Sequence, residues 1–377
     1  MMFFKLQCIS GIFKHKVNVD DNINNIYFDN KNTNEVKVNF KKILTSQTRS
    51  ITEFFKKPYN RFLLDFNDNF VYFIVENRLY QFNFKNFPKI KSKYIIINNL
   101  KNNHNTHISV NKEEIIITTS EKEIIFLNHN LDLIKVLKNK CQIITKVLKH
   151  GANYFFTDIS DSIITINDDD FLKNTPEEIG DSFYNPHNNI LIFDNKIIYG
   201  SSASVFYIVN KNSLEQEGLI HMYSKFNYLK NAPVLYKNSI ILNSDVSTKI
   251  IDKDTLVEQF EFQVGSFTQP IIFKDYLILG NENKVFIINL KNNTLNSLYL
   301  EPSCYVIGIF EMNSMIFVLD SFNRLSLINF NRNCFTKIKH PKIKSDFPPK
   351  VGLFNNKNCL FILNEFMEFD VYTIQEN

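Results

Sequence analysis

The sequence predicts an all-β protein built from a repeated unit of about 40 residues, and two observations support this. Short apolar runs rich in Ile, Phe, Val and Tyr alternate with Asn, Asp and Lys turns, and long helical periodicity is absent. Three similar phrases, at 206–220, 248–262 and 286–300, each join two apolar runs by a polar turn whose hydroxyl residue recurs after 42 and then 39 residues. An all-β chain with this period is typical of a β-propeller.

Each unit opens with a short apolar strand, which is followed by a second strand, a tight turn and further strands. The predicted opening strands are 62–66, 107–110, 143–148, 190–193, 233–236, 270–273, 305–310 and 350–354. Eight units favour a single closed ring of eight blades, and seven blades are the alternative if one unit is misassigned. Because the repeat covers most of the chain, we expect one domain of propeller repeats over residues 60–377.

The recurring polar turn is expected to be the outer hairpin of a blade. Asn and Asp tolerate the unusual backbone angles of tight turns, and the hydroxyl groups of Ser213 and Thr255 bond locally. The Leu that follows each of them, Leu214 or Leu256, is expected to begin the outermost strand.

The segment from Asp252 to Phe260, DKDTLVEQF, resembles the repeat of quinoprotein-like (PQQ-type) β-propellers. In that family a strand is followed by Asp-x-x-Thr-Gly, and an aromatic residue, usually Trp, packs between blades. Here the Asp and Thr are kept, Leu256 replaces the Gly, and Phe260 is expected at the Trp position. The resemblance is clearest over residues 190–300 and implies the fold only, because the chain lacks Trp and vicinal cysteines for quinone chemistry.

The N-terminal segment, residues 1–59, is expected to close the ring. The eighth unit supplies three strands before the chain ends, and an exposed sheet edge invites aggregation, so a strand from the N-terminus is predicted to complete the last blade. FFKLQCI (3–9) or KHKVNV (14–19) is the expected closing strand, and residues 26–40 are expected to form a hairpin around an Asn-rich turn.

Composition indicates a cytoplasmic protein. Five scattered cysteines without a CxxC pair argue against a zinc site or a disulfide framework. No apolar run suits a signal peptide or a membrane-spanning helix, so we expect no membrane partner. The formal net charge of +4 is lower than that of most dedicated nucleic-acid binders.

No catalytic motif is present in the sequence. The eight histidines include no HExxH spacing, and His104 and His107 lie in a polar Asn-rich loop. GxSxG, P-loop and GxGxxG motifs are absent. We therefore expect no catalytic residue, metal, cofactor or small-molecule substrate, although carboxylates from distant blades could still assemble a site that one sequence does not reveal.

Clusters of Lys and Arg are the remaining functional signal. In a propeller, the connections that enter each blade share one face with the turns between second and third strands, and ring closure brings the first and eighth blades together. The predicted partner-binding residues on that face are Lys56, Lys57, Arg61, Lys138, Lys140, Lys342, Lys344 and Lys350. A stiff Pro-Pro segment is expected to present Lys350 to a partner. Solvated linkers in a Lys-rich chain are the alternative interpretation.

The predicted function is that of a non-catalytic docking protein. Its basic face is expected to bind a large assembly, for which the ribosome or another RNA–protein complex is the anionic candidate. The alternative is a scaffold subunit that contacts only proteins within a large complex. An enzyme with a site in the central channel is the third hypothesis.

Overall fold

The computed structural model describes most of the chain. The described residues are 25–26, 39–46, 63–75, 77–85, 91–97, 100, 106–167, 170–174, 190–201, 204–225, 229, 231–330, 334–337, 349–354, 357–363 and 369–375. They form a ring of eight antiparallel sheets, and the predicted eight-bladed β-propeller is confirmed.

The first strand of each blade lies at the centre of the ring, where first strands of neighbouring blades contact each other. With strands numbered in chain order, these are β3 (Leu63–Phe66), β7 (His107–Val110), β11 (Leu148–His150), β15 (Leu191–Phe193), β19 (Val234–Tyr236), β23 (Ile271–Phe273), β27 (Val306–Met312) and β31 (Lys350–Phe354). Seven agree with the predicted opening strands to within two residues at either end. The third unit was predicted wrongly, because residues 143–147 are a connection whose Ile143 and Val147 are buried between the second and third blades.

The second and third strands form the middle of each blade. The second strands are β4 (Phe70–Val75), β8 (Glu114–Thr118), β12 (Asn153–Thr157), β16 (Lys196–Gly200), β20 (Ser239–Asn243), β24 (Tyr276–Asn281), β28 (Met315–Asp320) and β32 (Lys357–Leu363). The third strands are β5 (Arg78–Asn83), β9 (Glu123–Asn128), β13 (Ile163–Asn167), β17 (Val205–Asn210), β21 (Thr248–Asp252), β25 (Lys284–Asn289), β29 (Leu325–Asn329) and β33 (Phe369–Gln375). The sequences of these strands are continuous apolar runs because neighbouring blades cover both faces of each strand.

The outer strands form the rim of the ring. They are β6 (Lys91–Ile96), β10 (Leu133–Lys138), β14 (Asp170–Asn174), β18 (Gln216–His221), β22 (Glu258–Phe262), β26 (Thr294–Tyr299), β30 (Cys334–Lys337) and, in the eighth blade, β2 (Asn39–Ser46). The remaining strand, β1 (Asn25–Ile26), pairs in parallel with β26 and gives the sixth blade a fifth strand.

The N-terminal segment closes the ring as predicted, but through a strand that sequence reasoning did not choose. β2 pairs antiparallel with β33, from Asn39 opposite Gln375 to Ser46 opposite Phe369. The two expected closing strands, 3–9 and 14–19, lie outside the described residues. The described ends of the expected 26–40 hairpin lie in two different sheets, beside β26 and β33, so these ends do not pair with each other.

Aromatic packing holds the eighth blade against the first. Phe354 and Phe361 pack with Leu64 and Phe84 of the first blade, and the rings of Phe84 and Phe354 are 4.6 Å apart. A Cβ atom on Gly352 would lie 3.1 Å from the rings of Phe66 and Phe361, so the seam accepts no larger side chain there without rearrangement. Ring closure is thus built from side chains almost 300 residues apart in sequence.

The recurring turn differs from its predicted form in two respects. Leu214 and Leu256 have φ angles of 58° and 61°, so each occupies the left-handed turn position that Gly takes in the related repeat, and the outer strand begins two residues later. Leu214 is buried and Leu256 is partly buried against a neighbouring blade, and this packing opposes the cost of the left-handed conformation. Phe260 was expected between blades but is 45% exposed on the outer strand β22, so that expectation was wrong.

Candidate docking face

The two faces of the ring carry different kinds of loop. One face, here the connection face, carries the connections between blades and the turns between second and third strands. The other, the hairpin face, carries the turns between first and second strands and between third and fourth strands. This division follows from the alternating strand direction in every blade.

Two of the predicted partner-binding lysines are exposed on the connection face, as expected. Lys138 ends β10, and Lys140 lies in the connection to the third blade. Lys122, in the turn before β9, joins them because its Nζ donates a hydrogen bond to the carbonyl oxygen of Lys140 at 3.0 Å. Lys56, Lys57, Arg61, Lys342 and Lys344 lie outside the described residues.

Lys350 is placed differently from the expectation. It lies at the seam between the eighth and first blades, where its Nζ donates a hydrogen bond to the carbonyl oxygen of Leu64. Burial, and secondarily the nearby ammonium of Lys146, lowers the pKa of Lys350 to about 7. The structure therefore corrects the expectation that Lys350 is presented to a partner, because its charged group is turned inward.

Asp65 links three blades close to Lys350. Its Oδ2 accepts hydrogen bonds from the Val110 backbone N–H at 3.2 Å and from Lys146 Nζ at 3.0 Å. Its Oδ1 accepts the backbone N–H of Phe66 at 3.1 Å. With these donors on both oxygens, the carboxylate ties the first blade to the second and third rather than standing ready as a catalytic base.

Large apolar side chains are exposed in the loops of the connection face. In the described loops they are Ile159, Tyr223, Tyr305 and Phe322, which are 46%, 68%, 58% and 54% exposed. On the hairpin face, Val257 is the corresponding residue among the described turns. Contiguous exposed apolar groups are typical of interaction surfaces, and Tyr305 lies close to Phe322 because it is hydrogen-bonded to the adjacent Ser321.

Neighbouring groups hold the two aromatic residues between the sixth and seventh blades in place. Tyr305 exchanges hydrogen bonds with Ser321, through its backbone N–H at 3.1 Å and its carbonyl oxygen at 2.9 Å. The backbone N–H of Phe322 donates to Asp320 Oδ1 at 2.9 Å, and the guanidinium of Arg324 lies 5.1 Å from the Phe322 ring centroid. The backbone at both residues is therefore held in place, while both rings remain open to solvent.

Arg324 is itself held by carboxylates on either side. Its Nε pairs with Asp320 Oδ2 at 2.8 Å, and its Nη1 pairs with Glu301. These hydrogen bonds raise the pKa of Arg324 against the opposing effect of its burial. The adjacent Cys304 donates its thiol to the carbonyl oxygen of Glu301, and burial raises its pKa to about 11, so it is a poor nucleophile.

Charged residues of the hairpin face are paired across blade boundaries. Lys253 of the fifth blade pairs with Asp194 of the fourth at 2.7 Å. Asp275 of the sixth blade accepts Lys237 of the fifth at 2.8 Å and Lys291 of its own blade at 2.6 Å. Hydrogen bonds from Lys237, Lys291 and Tyr236 hold the pKa of Asp275 well below its ordinary range.

Sequence reasoning missed the apolar part of the connection face. It weighed runs of charge, whereas Tyr223, Tyr305 and Phe322 each stand alone in a short polar loop. The available signal was a single aromatic residue in a turn between two strands. It can be recognised only after the repeat has been used to assign which residues form strands and which form turns. In the described part of the chain, no three His, Cys, Asp or Glu side chains could hold a metal together, and no helix could span a membrane.

The comparisons identify the fold. No family model matches the chain, and no curated protein matches it by sequence. BamB from Moraxella catarrhalis, a PQQ-like β-propeller, has a TM-score of 0.68 at 10% identity, and the match covers 89% of this chain and 99% of that chain. Its similarity confirms, at the level of fold, the resemblance to quinoprotein-like propellers.

Other solved structures are comparably similar. Sqt1 from Saccharomyces cerevisiae has a TM-score of 0.61 at 9% identity, and the match covers 91% of this chain and all (100%) of that one. The C-terminal WD40 domain of Sif2 has a TM-score of 0.61 at 13% identity, with 90% and 99% covered. Because 1470 chains match and identities are this low, the likeness shows the β-propeller fold and carries no function with it.

Proposed function

We propose that this β-propeller is a non-catalytic docking protein that binds a protein partner of a larger assembly through its connection face. The observation that carries the proposal is the exposure of Ile159, Tyr223, Tyr305 and Phe322 in the loops of that face, against Val257 in the described turns of the other. Aromatic residues contribute strongly to binding when a partner covers them.

The way these residues are held supports the same proposal. The backbone of Tyr305 and Phe322 is held by hydrogen bonds to Ser321 and Asp320, so a partner would have to order little backbone on this side of the interface. A rigid loop loses little conformational entropy when a partner binds, whereas a mobile loop would have to become ordered. The rigid blades beneath the loops serve as the support.

A ribonucleoprotein partner is the second candidate, and the lysine cluster favours it. Lys122, Lys138 and Lys140 lie together on the connection face, at the end of the second blade. Such a cluster would displace the counterions condensed on RNA phosphates, so binding would weaken steeply with salt. A protein partner held by aromatic residues would show a shallow dependence on salt.

The test compares three tagged forms of the protein in its own cells. The wild type is compared with Tyr305→Ser/Phe322→Ser on the connection face and with Val257→Ser on the hairpin face, and co-purifying proteins and RNA are quantified by mass spectrometry and sequencing. We expect the double variant to lose at least about ten-fold of a specific partner, equivalent to about 1.4 kcal/mol, and the control to retain it. Equal recovery by all three forms would contradict the proposal.

A further inference from the structure

The outer strand of the second blade, β10, is an unusually apolar part of the rim. Leu133, Ile134 and Val136 are 63%, 53% and 46% exposed. Among the other outer strands whose side-chain burial the structure describes, β6 exposes two large apolar side chains, β14, β18 and β22 expose one each, and β26 exposes none. An apolar edge strand of this kind is a template for pairing with a further strand.

The backbone of β10 shows which groups face away from the blade. The N–H of Asn139 donates to the carbonyl oxygen of Lys122 at 2.9 Å, so this pair is hydrogen-bonded across the β9–β10 ladder. Hydrogen-bonded pairs recur at every second residue of an antiparallel ladder. Leu137 and Lys135 therefore bond inward to β9, whereas the N–H and C=O groups of Lys138 and Val136 point outward.

The side chains of β10 divide in the same alternating manner. Leu137 packs against the core between the second and third blades, and the Lys135 ammonium lies 5.0 Å from the ring centroid of Phe126. Val136 and Lys138 project from the opposite side of the strand. Ile134 lies at a β-bulge between Leu133 and Lys135, where the alternation is interrupted and both Leu133 and Ile134 are exposed. Among the described residues, no strand pairs with the outer edge of β10.

The molecule already extends one blade in this way. β1 adds a fifth strand to the outer edge of the sixth blade, with Asn25 opposite Ser297 and Ile26 opposite Leu298. The rim of this ring is therefore compatible with an additional strand.

The two ends of β10 carry opposite charges. Asp132 is exposed before its first residue, and Lys138 and Lys140 are exposed at and after its last. In a two-fold symmetric antiparallel pairing centred on Val136, the Val136 side chains of the two copies meet at the axis. Ile134 then lies near the aliphatic stem of Lys138 of the second copy. Because the β-bulge between Leu133 and Lys135 interrupts the register, Asp132 is placed only near the end of the second copy's strand that carries Lys138 and Lys140.

We propose that β10 is a self-association edge, through which two copies of this chain pair antiparallel into a dimer with one continuous sheet. The strand is complementary to itself in three respects: outward backbone groups, a central apolar residue and opposite charges at its ends. This surface lies on the rim and contains none of the exposed aromatic residues of the connection face, whereas Lys138 and Lys140 belong to both surfaces.

The first test removes one outward N–H group. Val136→Pro eliminates a donor that the β9–β10 ladder does not use, and proline is tolerated at such edge positions. Val136→Thr keeps the N–H and the shape of the side chain, and it serves as the matched control. Sedimentation equilibrium over a roughly hundred-fold range of protein concentration should show a dimer for wild type and control, and at least ten-fold weaker dimerisation for the proline variant.

The second test checks the antiparallel arrangement by charge exchange and does not depend on how well the proline variant folds. Asp132→Lys and Lys140→Asp each place like charges together across the two-fold axis and should weaken the dimer. The double variant restores opposite charges and should recover dimerisation. A wild-type protein that stays monomeric at all concentrations, or a double variant no better than the single ones, would overturn the proposal.

Discussion

The hairpin face and the connection face use their polar residues in different ways. On the hairpin face, Asp194 and Asp275 accept lysines from a neighbouring blade, so charge there holds blades together. On the connection face, Lys138 and Lys140 are exposed and form no ion pair with any described residue, and aromatic rings stand open beside Arg324. Arg324 of the connection face is ion-paired as well, with Asp320 and Glu301, so the two faces differ in the exposed lysines and aromatic rings of the connection face, on which a partner could dock.

Both faces exist only while the ring is closed. A variant that opens the ring is therefore expected to lose the most stability. Deleting residues 1–46 removes β2 and exposes the edge of β33 together with the apolar face beside it. We expect the loss of about 5 kcal/mol or more, which is the stability margin of a typical domain, and therefore aggregation or loss of the cooperative melting transition. Thermal melting followed by circular dichroism measures it.

The matched control deletes residues 1–20 and keeps β2. That variant should melt like the full chain, whereas sequence reasoning, which placed the closing strand at 3–9 or 14–19, predicts that it unfolds. Equal melting of the full chain and the 1–46 deletion would show that the N-terminal strand is dispensable.

The closing strand shows where sequence reasoning fails for physical reasons. Apolar runs identified the inner and middle strands because these are covered on both sides, as Ile115 to Ile117 are. An outer strand is half solvated, so NFKKILTS (39–46) carries two lysines and resembles a loop. The candidate sites could not be predicted for a related reason. Phe322 and Val136 are exposed because no neighbouring element among the described residues covers them, and a sequence does not show which elements are neighbours.

The next prediction concerns Lys350, a charged residue that points into the ring and not toward a partner. With its pKa lowered to about 7 in the fold, against about 10.4 in the unfolded chain, the unfolded state binds an extra proton between these values. Stability from this group should therefore rise with pH from 7 toward 10, by at most about 1.4 kcal/mol per pH unit, and be at its lowest below pH 7.

Substituting Lys350 by Met should remove that dependence. The variant should be more stable than wild type at pH 6–7, and the advantage should shrink as pH approaches 10. Urea unfolding at several pH values measures the difference, and Lys138→Met is the matched change at an exposed lysine. A difference between Lys350→Met and wild type that does not vary with pH would contradict the inward placement of the ammonium.

Asp275 probes the ion pairs of the hairpin face, with a smaller expected effect. Because its folded pKa lies below the unfolded value, its contribution is present above about pH 4 and is lost as pH falls through the folded pKa. Asp275→Asn should lower the melting temperature at pH 6, and the difference from wild type should decrease in acid and in high salt. Partner binding should be unchanged, and a salt-independent difference would argue against an ion-pair origin.

The smallest effect on stability is expected from the lysines of the connection face. Lys138→Ala/Lys140→Ala removes two exposed charges, and surface changes of this kind alter stability by about 0.5 kcal/mol or less each. Their effect should lie in binding, and Val136→Pro should be added to both proteins compared, so that self-association does not enter. If the partner is a ribonucleoprotein, the slope of log affinity against log salt should fall by about 1 to 2, since each phosphate contact contributes about 0.7 to 0.9. An unchanged slope together with lost binding in Tyr305→Ser/Phe322→Ser would assign the face to a protein partner, because aromatic contacts release few counterions.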